Sequence, residues 1–153
     1  MFIGICYLVS LVVGTAAALQ QPGPHTVQAV AETLLRFVLL IGAGVPLVAG
    51  GYGHVFQSDL AASRLGWETG NPFQKELGFW DFAGGIGALA AFWVGGDFRL
   101  AIIFINAVFW LSAGALHIRH VAQHHNYNAD NAISAGADIL VPFTLITLFL
   151  LAR

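Results

Sequence analysis

Residues 98–120 read FRLAIIFINAVFWLSAGALHIRH, and this apolar stretch decides the class of fold. A helix needs about 20 mostly apolar residues to cross the hydrocarbon core of a bilayer. The stretch has that length, and it lies between Gly95-Gly96 and a run of histidines. It therefore predicts a membrane-spanning helix, which we place at residues 98–121.

Four further apolar runs flank this stretch and predict a bundle of five helices. Asn71-Pro72 begins the preceding run, because Asn is a strong N-cap, Pro suits the first helical position, and Gln74 can complete a capping box. The sequence therefore predicts an all-α integral membrane bundle that forms a single domain. Its predicted spans are residues 2–19, 33–55, 72–94, 98–121 and 135–152.

Two segments carry a further interpretation. Residues 2–19 end near Ala16-Ala17-Ala18, as a secretory signal does, but they lack the positive residues that begin such peptides. We interpret them as a retained first helix, and a cleaved signal would leave four spans. Ser58 and Gly66 mark the ends of a helix too short to span, which we expect at the membrane interface. No internal repeat is evident.

The composition excludes several classes of protein. Only 9% of the residues are charged, 58% are hydrophobic, and the mean hydropathy is +0.76. Six Lys and Arg stand against eight Asp and Glu, so no basic excess exists to bind nucleic acid. Disorder and an ordinary soluble enzyme are excluded as well. Cys6 is the only thiol, which excludes a disulfide framework.

The ionisable side chains gather at one end of the predicted bundle. Successive spans cross the membrane in opposite directions, so the second and fourth helices end at the same membrane face. Most of the ionisable side chains fall at this face, and so do all the histidines except His25. The positive charges divide equally between the two faces, so the positive-inside rule assigns neither face to a compartment. We expect a multi-pass protein of a cell membrane with a polar site at the histidine-rich face.

Histidines at helical spacing form the sharpest motif. His117, His120 and His124 fall within about 60° on one helix face, because each residue turns the helix by about 100°. Such a set suits a transition metal, and His54, at the same end of the second helix, can complete it. A haem between His54 and His117 or His120 is also open. The alternative is a hydrated helix end where histidines complement the helix dipole. The available carboxylates are Glu68, Glu76, Asp81 and Asp138.

The same helix face continues inward from His117 through Trp110 to Asn106. An unpaired amide near the middle of a membrane is costly, so Asn106 should face the interior of the bundle. Asn106 and Trp110, together with Asn126 in the following loop, are our candidates for holding a cofactor. We interpret Trp67 as a belt or packing residue.

Residues 66–79, GWETGNPFQKELGF, resemble the signature of a family of small prokaryotic membrane proteins of unknown function. That signature reads roughly Gly-Trp-x-x-Gly-Ser/Asn-Pro-Phe-Gln-x-Glu, and the similarity covers about residues 50–145. The matched polar positions are His54, Glu76, His117, Asn126 and Asn131. The resemblance supplies no activity, but it implies a smaller site around His54, Glu76 and His117. Such a site resembles a general acid/base or ligand-binding constellation as much as a metal site.

Three functions remain open at this stage. The first is a membrane enzyme or redox protein that uses His54, Glu76 and His117, with or without a metal or haem, on a lipophilic substrate or quinone from the bilayer. The second is a binding or transport protein for a small solute. The third is an accessory subunit of a larger membrane complex, or a homo-oligomer. We rank the first slightly ahead.

Overall fold

The structure, a computed structural model, describes residues 2–153, and every regular element in that range is helical. The all-α fold class predicted from the sequence is therefore confirmed. The elements are α1 (Phe2–Leu19), α2 (Val27–Phe37), a π-helical segment (Val38–Gly44), α3 (Val45–Phe56), α4 (Ser58–Leu65), α5 (Phe73–Ala90), α6 (Gly96–His124) and α7 (Ala129–Leu151).

Four helical stretches are long and apolar enough to cross a membrane, which indicates a multi-pass membrane protein. They are Phe2–Leu19, Val27–Phe56, Gly96–His124 and Ala129–Leu151. Each corresponds to one of the predicted spans. The remaining predicted span is α5, which is not among them because Lys75, Glu76 and Asp81 make it more polar. It nevertheless packs along α3 as part of the same bundle.

Two helices begin six residues before the predicted starts, because polar caps precede the apolar runs. The second span begins at Val27, where the Thr26 hydroxyl accepts a backbone hydrogen bond in the first turn. Helix α7 begins at Ala129, where the Asn128 side chain does the same. Helix α5 differs from the prediction at its C-terminal end, because it stops at Ala90, four residues before the predicted end.

The short helix α4 confirms the predicted ends. It starts at Ser58, and Gly66 follows its last residue in the left-handed conformation, with φ +69°. A residue with a Cβ rarely adopts this conformation, so glycine ends the helix at low cost. The Trp67 N–H then donates to the Ala62 carbonyl oxygen at 3.0 Å, which completes the turn. This turn fixes the direction in which Trp67 leaves the helix.

At the start of α5, one predicted contact forms and another does not. The Asn71 Oδ1 atom accepts a hydrogen bond from the Phe73 N–H at 3.0 Å, so Asn71 caps the first turn. Gln74 was expected to close a capping box with Asn71. Its Oε1 atom lies instead 3.2 Å from the Nδ1 atom of His54 on α3. The side chain therefore joins two helices rather than capping one.

The apolar core lies in the middle of the bundle and joins its central helices. Side chains from α2 and the π-helical segment pack there against α6 and α7. The fully buried large residues include Leu35, Val38, Leu39, Val141 and Leu145. Helix α1 packs against this group from outside, and its Tyr7 hydroxyl lies 2.7 Å from the Thr144 hydroxyl on α7.

The two ends of the bundle carry different polar groups. At one end the buried Arg99 guanidinium donates to the Glu32 carboxylate at 2.6 Å and to the Ala91 carbonyl oxygen at 3.0 Å. At the other end α3 and α6 finish and α5 and α7 begin. We call this second end the polar end, and it holds His54, Asp81, His117, Asn131 and Asp138.

Candidate functional site

His117 is held between an amide and a carboxylate at the polar end. It lies two turns before the end of α6, and only 8% of it is exposed. Its Nδ1 atom is 2.7 Å from the Asn131 Oδ1 atom, in the first turn of α7. Its Nε2 atom is 3.7 Å from the Asp138 Oδ2 atom, two turns further along α7. Both partners are buried as well.

Asn131 determines which nitrogen of His117 carries a proton. The indole N–H of Trp67 donates to the Asn131 Oδ1 atom at 3.0 Å, and an indole can only donate. The Asn131 Nδ2 atom faces two acceptors, the carbonyl oxygens of His117 at 3.5 Å and Asn126 at 3.3 Å. The oxygen of this amide is therefore the atom that faces His117. Consequently the His117 Nδ1–H donates to it, and Nε2 is the atom that faces Asp138.

A second pair on α3 and α5 has the same composition. The His54 Nδ1 atom is 3.2 Å from the Gln74 Oε1 atom, and its Nε2 atom is 4.0 Å from the Asp81 Oδ2 atom. The side chains of His54 and Asp81 are 18% and 8% exposed. Each histidine thus turns Nδ1 to an amide oxygen and Nε2 to an aspartate. We call these the His54–Asp81 pair and the His117–Asp138 pair.

The two pairs are neighbours inside the bundle. Two of the helices that carry them, α5 and α6, contact each other just inward of both pairs, where the Trp80 ring lies 5.7 Å from the Phe109 ring and the Asn106 Nδ2 atom donates to the Gly84 carbonyl oxygen. Ionisable groups placed this deep in membrane helices are costly and commonly mark proton or substrate sites. In both pairs the distance from Nε2 to the carboxylate exceeds that of a hydrogen bond. An oxygen atom of a ligand or water can therefore lie beside both groups and bond to each.

The rim of the site is built by the segment that follows α4. The Trp67 ring lies 5.0 Å from the His117 ring and 5.2 Å from the His120 ring. Asn126 holds this segment in place, because its Nδ2 atom donates to the Leu65 carbonyl oxygen at 2.7 Å. The same Nδ2 atom lies 3.0 Å from the His120 Nδ1 atom. Trp67 is thus fixed over the His117–Asp138 pair and is more than a packing residue.

The predicted metal site of His54, His117, His120 and His124 is not supported. Among residues 2–153, no group of three or more His, Cys, Asp or Glu side chains is arranged to hold a metal ion. The helical spacing does place three rings on one face of α6, but these rings lie side by side. The His120 and His124 rings are 4.6 Å apart, and the His120 Nδ1 atom accepts a hydrogen bond from Asn126.

Glu76 was predicted to be the carboxylate of the site, but in the structure other carboxylates face the histidines. Glu76 is exposed in the first turn of α5, and it makes no hydrogen bond or ion pair with any residue from 2 to 153. Asp81 and Asp138 are the carboxylates that face the histidines. Both aspartates could have been singled out from the sequence. Each lies within a predicted membrane helix, where a carboxylate needs a partner.

The other predicted binding residues lie in two different places. Asn106 and Trp110 lie further inside the bundle than His117, and Trp110 belongs to the apolar core. The Asn106 Nδ2 atom donates to the Gly84 carbonyl oxygen at 3.3 Å. Its Oδ1 atom is buried and has no hydrogen-bond partner within residues 2–153. Asn126 lies at the rim, where its Nδ2 atom contacts the Leu65 carbonyl oxygen and the His120 ring.

Fold and site together define a small, all-helical, multi-pass membrane protein with two His–Asp pairs at one end of its bundle, one of them buried and the other partly buried. The chain belongs to DUF6790, a family of unknown function that matches residues 1–153. This membership agrees with the predicted resemblance to an uncharacterised family. No curated protein and no solved structure matches the chain. The activity must therefore be inferred from the site itself.

Proposed function

We propose that this protein is a membrane enzyme or redox protein whose His–Asp pairs exchange protons with a lipophilic ligand. We assign it to a prokaryotic cell membrane, as the resemblance implies. The observation that carries the proposal is the presence of two histidines, His117 buried and His54 partly buried, each with an amide at Nδ1 and an aspartate at Nε2. Pairs of this kind are suited to general acid–base chemistry near neutral pH.

The chemistry at the His117–Asp138 pair follows from the fixed ring. The Nδ1–H is held by Asn131, so only Nε2 can take up or release a proton. When a ligand hydroxyl lies beside Nε2, its O–H bond breaks, the proton forms an N–H bond, and the electron pair stays on oxygen. Asp138 then faces the imidazolium and stabilises its charge. The reverse step returns the proton to the ligand.

The surroundings favour a ligand from the bilayer over a soluble metabolite. A depression of about 260 Å³ lies beside the rim, and the residues that line it are Trp67, Leu116, Arg119, His120, Gln123 and His124. Leu116 is 55% exposed on the outer face of α6, so this depression has an apolar border. A ligand with a hydrocarbon body and a hydroxyl or carbonyl head, such as a phenol or a quinone, fits both environments.

Nitrogen NMR on protein labelled at its histidines tests the proposal. The protein is placed in lipid nanodiscs, and tetramethylphenol is added as the ligand probe. We expect the Nε2 resonances of His54 and His117 to shift while their Nδ1 resonances keep the signature of a bonded N–H. The variants His54→Gln and His117→Gln assign the resonances. His25, which is exposed at the opposite end, serves as the internal control.

Two results would contradict the proposal. One is an equal response of His25 and the paired histidines, which would show partition of the probe into the lipid alone. The other is no response at any histidine over the soluble range of the probe. The metal and haem alternatives have a separate test on the purified protein. Stoichiometric metal in elemental analysis, or a Soret band, would favour them.

A further inference from the structure

The two His–Asp pairs share a pattern of residues as well as their composition. In the first hairpin, formed by α3 and α5, Asn71 precedes Gln74 by three residues, and Asp81 follows seven residues later. In the second, formed by α6 and α7, Asn128, Asn131 and Asp138 have the same two spacings. The first residue of each set caps its helix through the backbone N–H two residues on, at 3.0 Å in both cases.

The histidine-bearing helices match as well. A glycine lies one turn before each histidine, Gly51 before His54 and Gly114 before His117. A methyl group on Gly51 would touch Phe82, the residue after Asp81. A methyl group on Gly114 would touch Ile139, the residue after Asp138. Equivalent glycines therefore face equivalent positions on the partner helix.

The two hairpins also run in the same direction. In each, the first helix ends at the polar end and the second helix begins there. Parallel repeats of this kind are known in membrane proteins, whose ligand sites lie where the repeats meet. The repeat is not apparent from the sequence alone, because only a few positions recur and α4 lengthens one of the two connections.

We propose that the two pairs are duplicate halves of one site, which binds a single ligand carrying two like oxygen groups, one for each pair. The inference rests on the proposed function and names its ligand class: a lipophilic diol of the hydroquinone type. Each hydroxyl of the diol lies beside the Nε2 atom of one histidine and the carboxylate of the same pair. The ligand thereby exchanges its two protons with two separate bases.

A pair of ring compounds tests this inference in nanodiscs under nitrogen. The probes are tetramethylhydroquinone, which has two hydroxyl groups, and tetramethylphenol, which has one. Binding is measured by titration calorimetry with empty nanodiscs as the blank. We expect the two-hydroxyl probe to bind about tenfold more tightly, the effect of about one additional hydrogen bond.

Three variants complete the test. Asp81→Asn and Asp138→Asn should each abolish the advantage of the two-hydroxyl probe, since each leaves one half intact. Glu76→Gln removes a carboxylate from an exposed position of α5 and should keep the advantage. If an aspartate variant does not fold, His54→Gln or His117→Gln tests the same half.

The outcomes separate the inference from the proposed function. Equal binding of both probes to the unchanged protein, or loss of the advantage in only one aspartate variant, would overturn the two-fold site and leave single-pair chemistry standing. If neither probe binds, both the two-fold site and the proposed function fail. Loss of the advantage in Glu76→Gln would also count against the inference, because it would show a general effect of charge.

Discussion

The closest contact between α3 and α5 gives a sharp prediction for the site. A methyl group on Gly78 would lie 2.7 Å from the Val55 Cγ2 atom, and 2.9 Å from both the Gly51 carbonyl oxygen and the His54 Cβ atom. Ordinary contacts begin near 3.4 Å. The variant Gly78→Ala must therefore push α3 away from α5 by about 0.5–0.7 Å.

Two energies of opposite sign decide the size of the effect. Overpacking of a tight interface costs about 1–3 kcal/mol, and the better helix propensity of alanine returns about 0.5–1 kcal/mol. We therefore expect Gly78→Ala to be less stable than the unchanged protein by up to about 2.5 kcal/mol, with a midpoint of about 1 kcal/mol. Since Gly78 lies one turn before Asp81, the separation of His54 from Asp81 should also grow beyond its 4.0 Å.

The matched control is Gly136→Ala on α7. Gly136 is exposed within its helix, and a methyl group there meets nothing within 4 Å. The same substitution should therefore leave stability unchanged or raise it by up to about 1 kcal/mol. Both variants are unfolded with sodium dodecyl sulfate in mixed micelles, and helix content is followed by circular dichroism. If Gly78→Ala is as stable as Gly136→Ala, α3 and α5 are not packed as described.

Three further predictions use the same unfolding assay. Asn131→Leu should lose about 2 kcal/mol or more, because it leaves two buried donors without an acceptor. Asn106→Leu should be nearly neutral, because losing the long hydrogen bond to the Gly84 carbonyl oxygen is offset by removing the Oδ1 atom, which is buried and has no partner within residues 2–153. Equal losses in the two variants would contradict this reasoning. Glu32→Gln should cost about 1–2 kcal/mol, because the buried Arg99 loses its carboxylate partner, and no loss would show that Arg99 is hydrated. Gly66→Ala should destabilise by about 1 kcal/mol through its left-handed backbone, and unchanged stability would argue against that turn.

The sequence predicts the positions of the helices well because local signals mark them. The start of α4 at Ser58 and its end before Gly66 follow from ordinary capping and left-handed turn chemistry. The starts of α2 and α7 were placed too late, because the prediction followed the apolar runs, which polar residues interrupt early in both helices: Gln28 and Glu32 in α2, and Asp130 and Asn131 in α7. Val27 and Ala129 begin these helices, just after the side-chain caps Thr26 and Asn128.

The π-helical segment and the partners in the site could not be predicted in this way. The π-helical turns at Val38–Gly44 lie where this segment packs against other helices, and Gly42 there lies against the Ser10 hydroxyl of α1. The partners of His54 and His117 depend on how each helix is rotated about its axis, which the spacing within one helix does not determine. Spacing alone therefore grouped His117 with His120 and His124, whereas its Nε2 atom faces Asp138 on another helix.

The two halves of the site are equivalent in pattern but not in surroundings. The connection after α4 belongs to the first hairpin, yet its Trp67 covers the His117–Asp138 pair of the second and donates to Asn131. Accordingly, the His117 side chain is 10% exposed, against 18% for His54. The Asn131 amide beside His117 also makes four hydrogen bonds, to Trp67, Asn126 and His117 itself, so this half is the more rigid one. A symmetric ligand would therefore meet one fixed base at His117 and one more accessible base at His54. If the proposed two-fold site exchanges two protons, this difference would give the exchange an order, because proton transfer to bulk water is easier from the more exposed half.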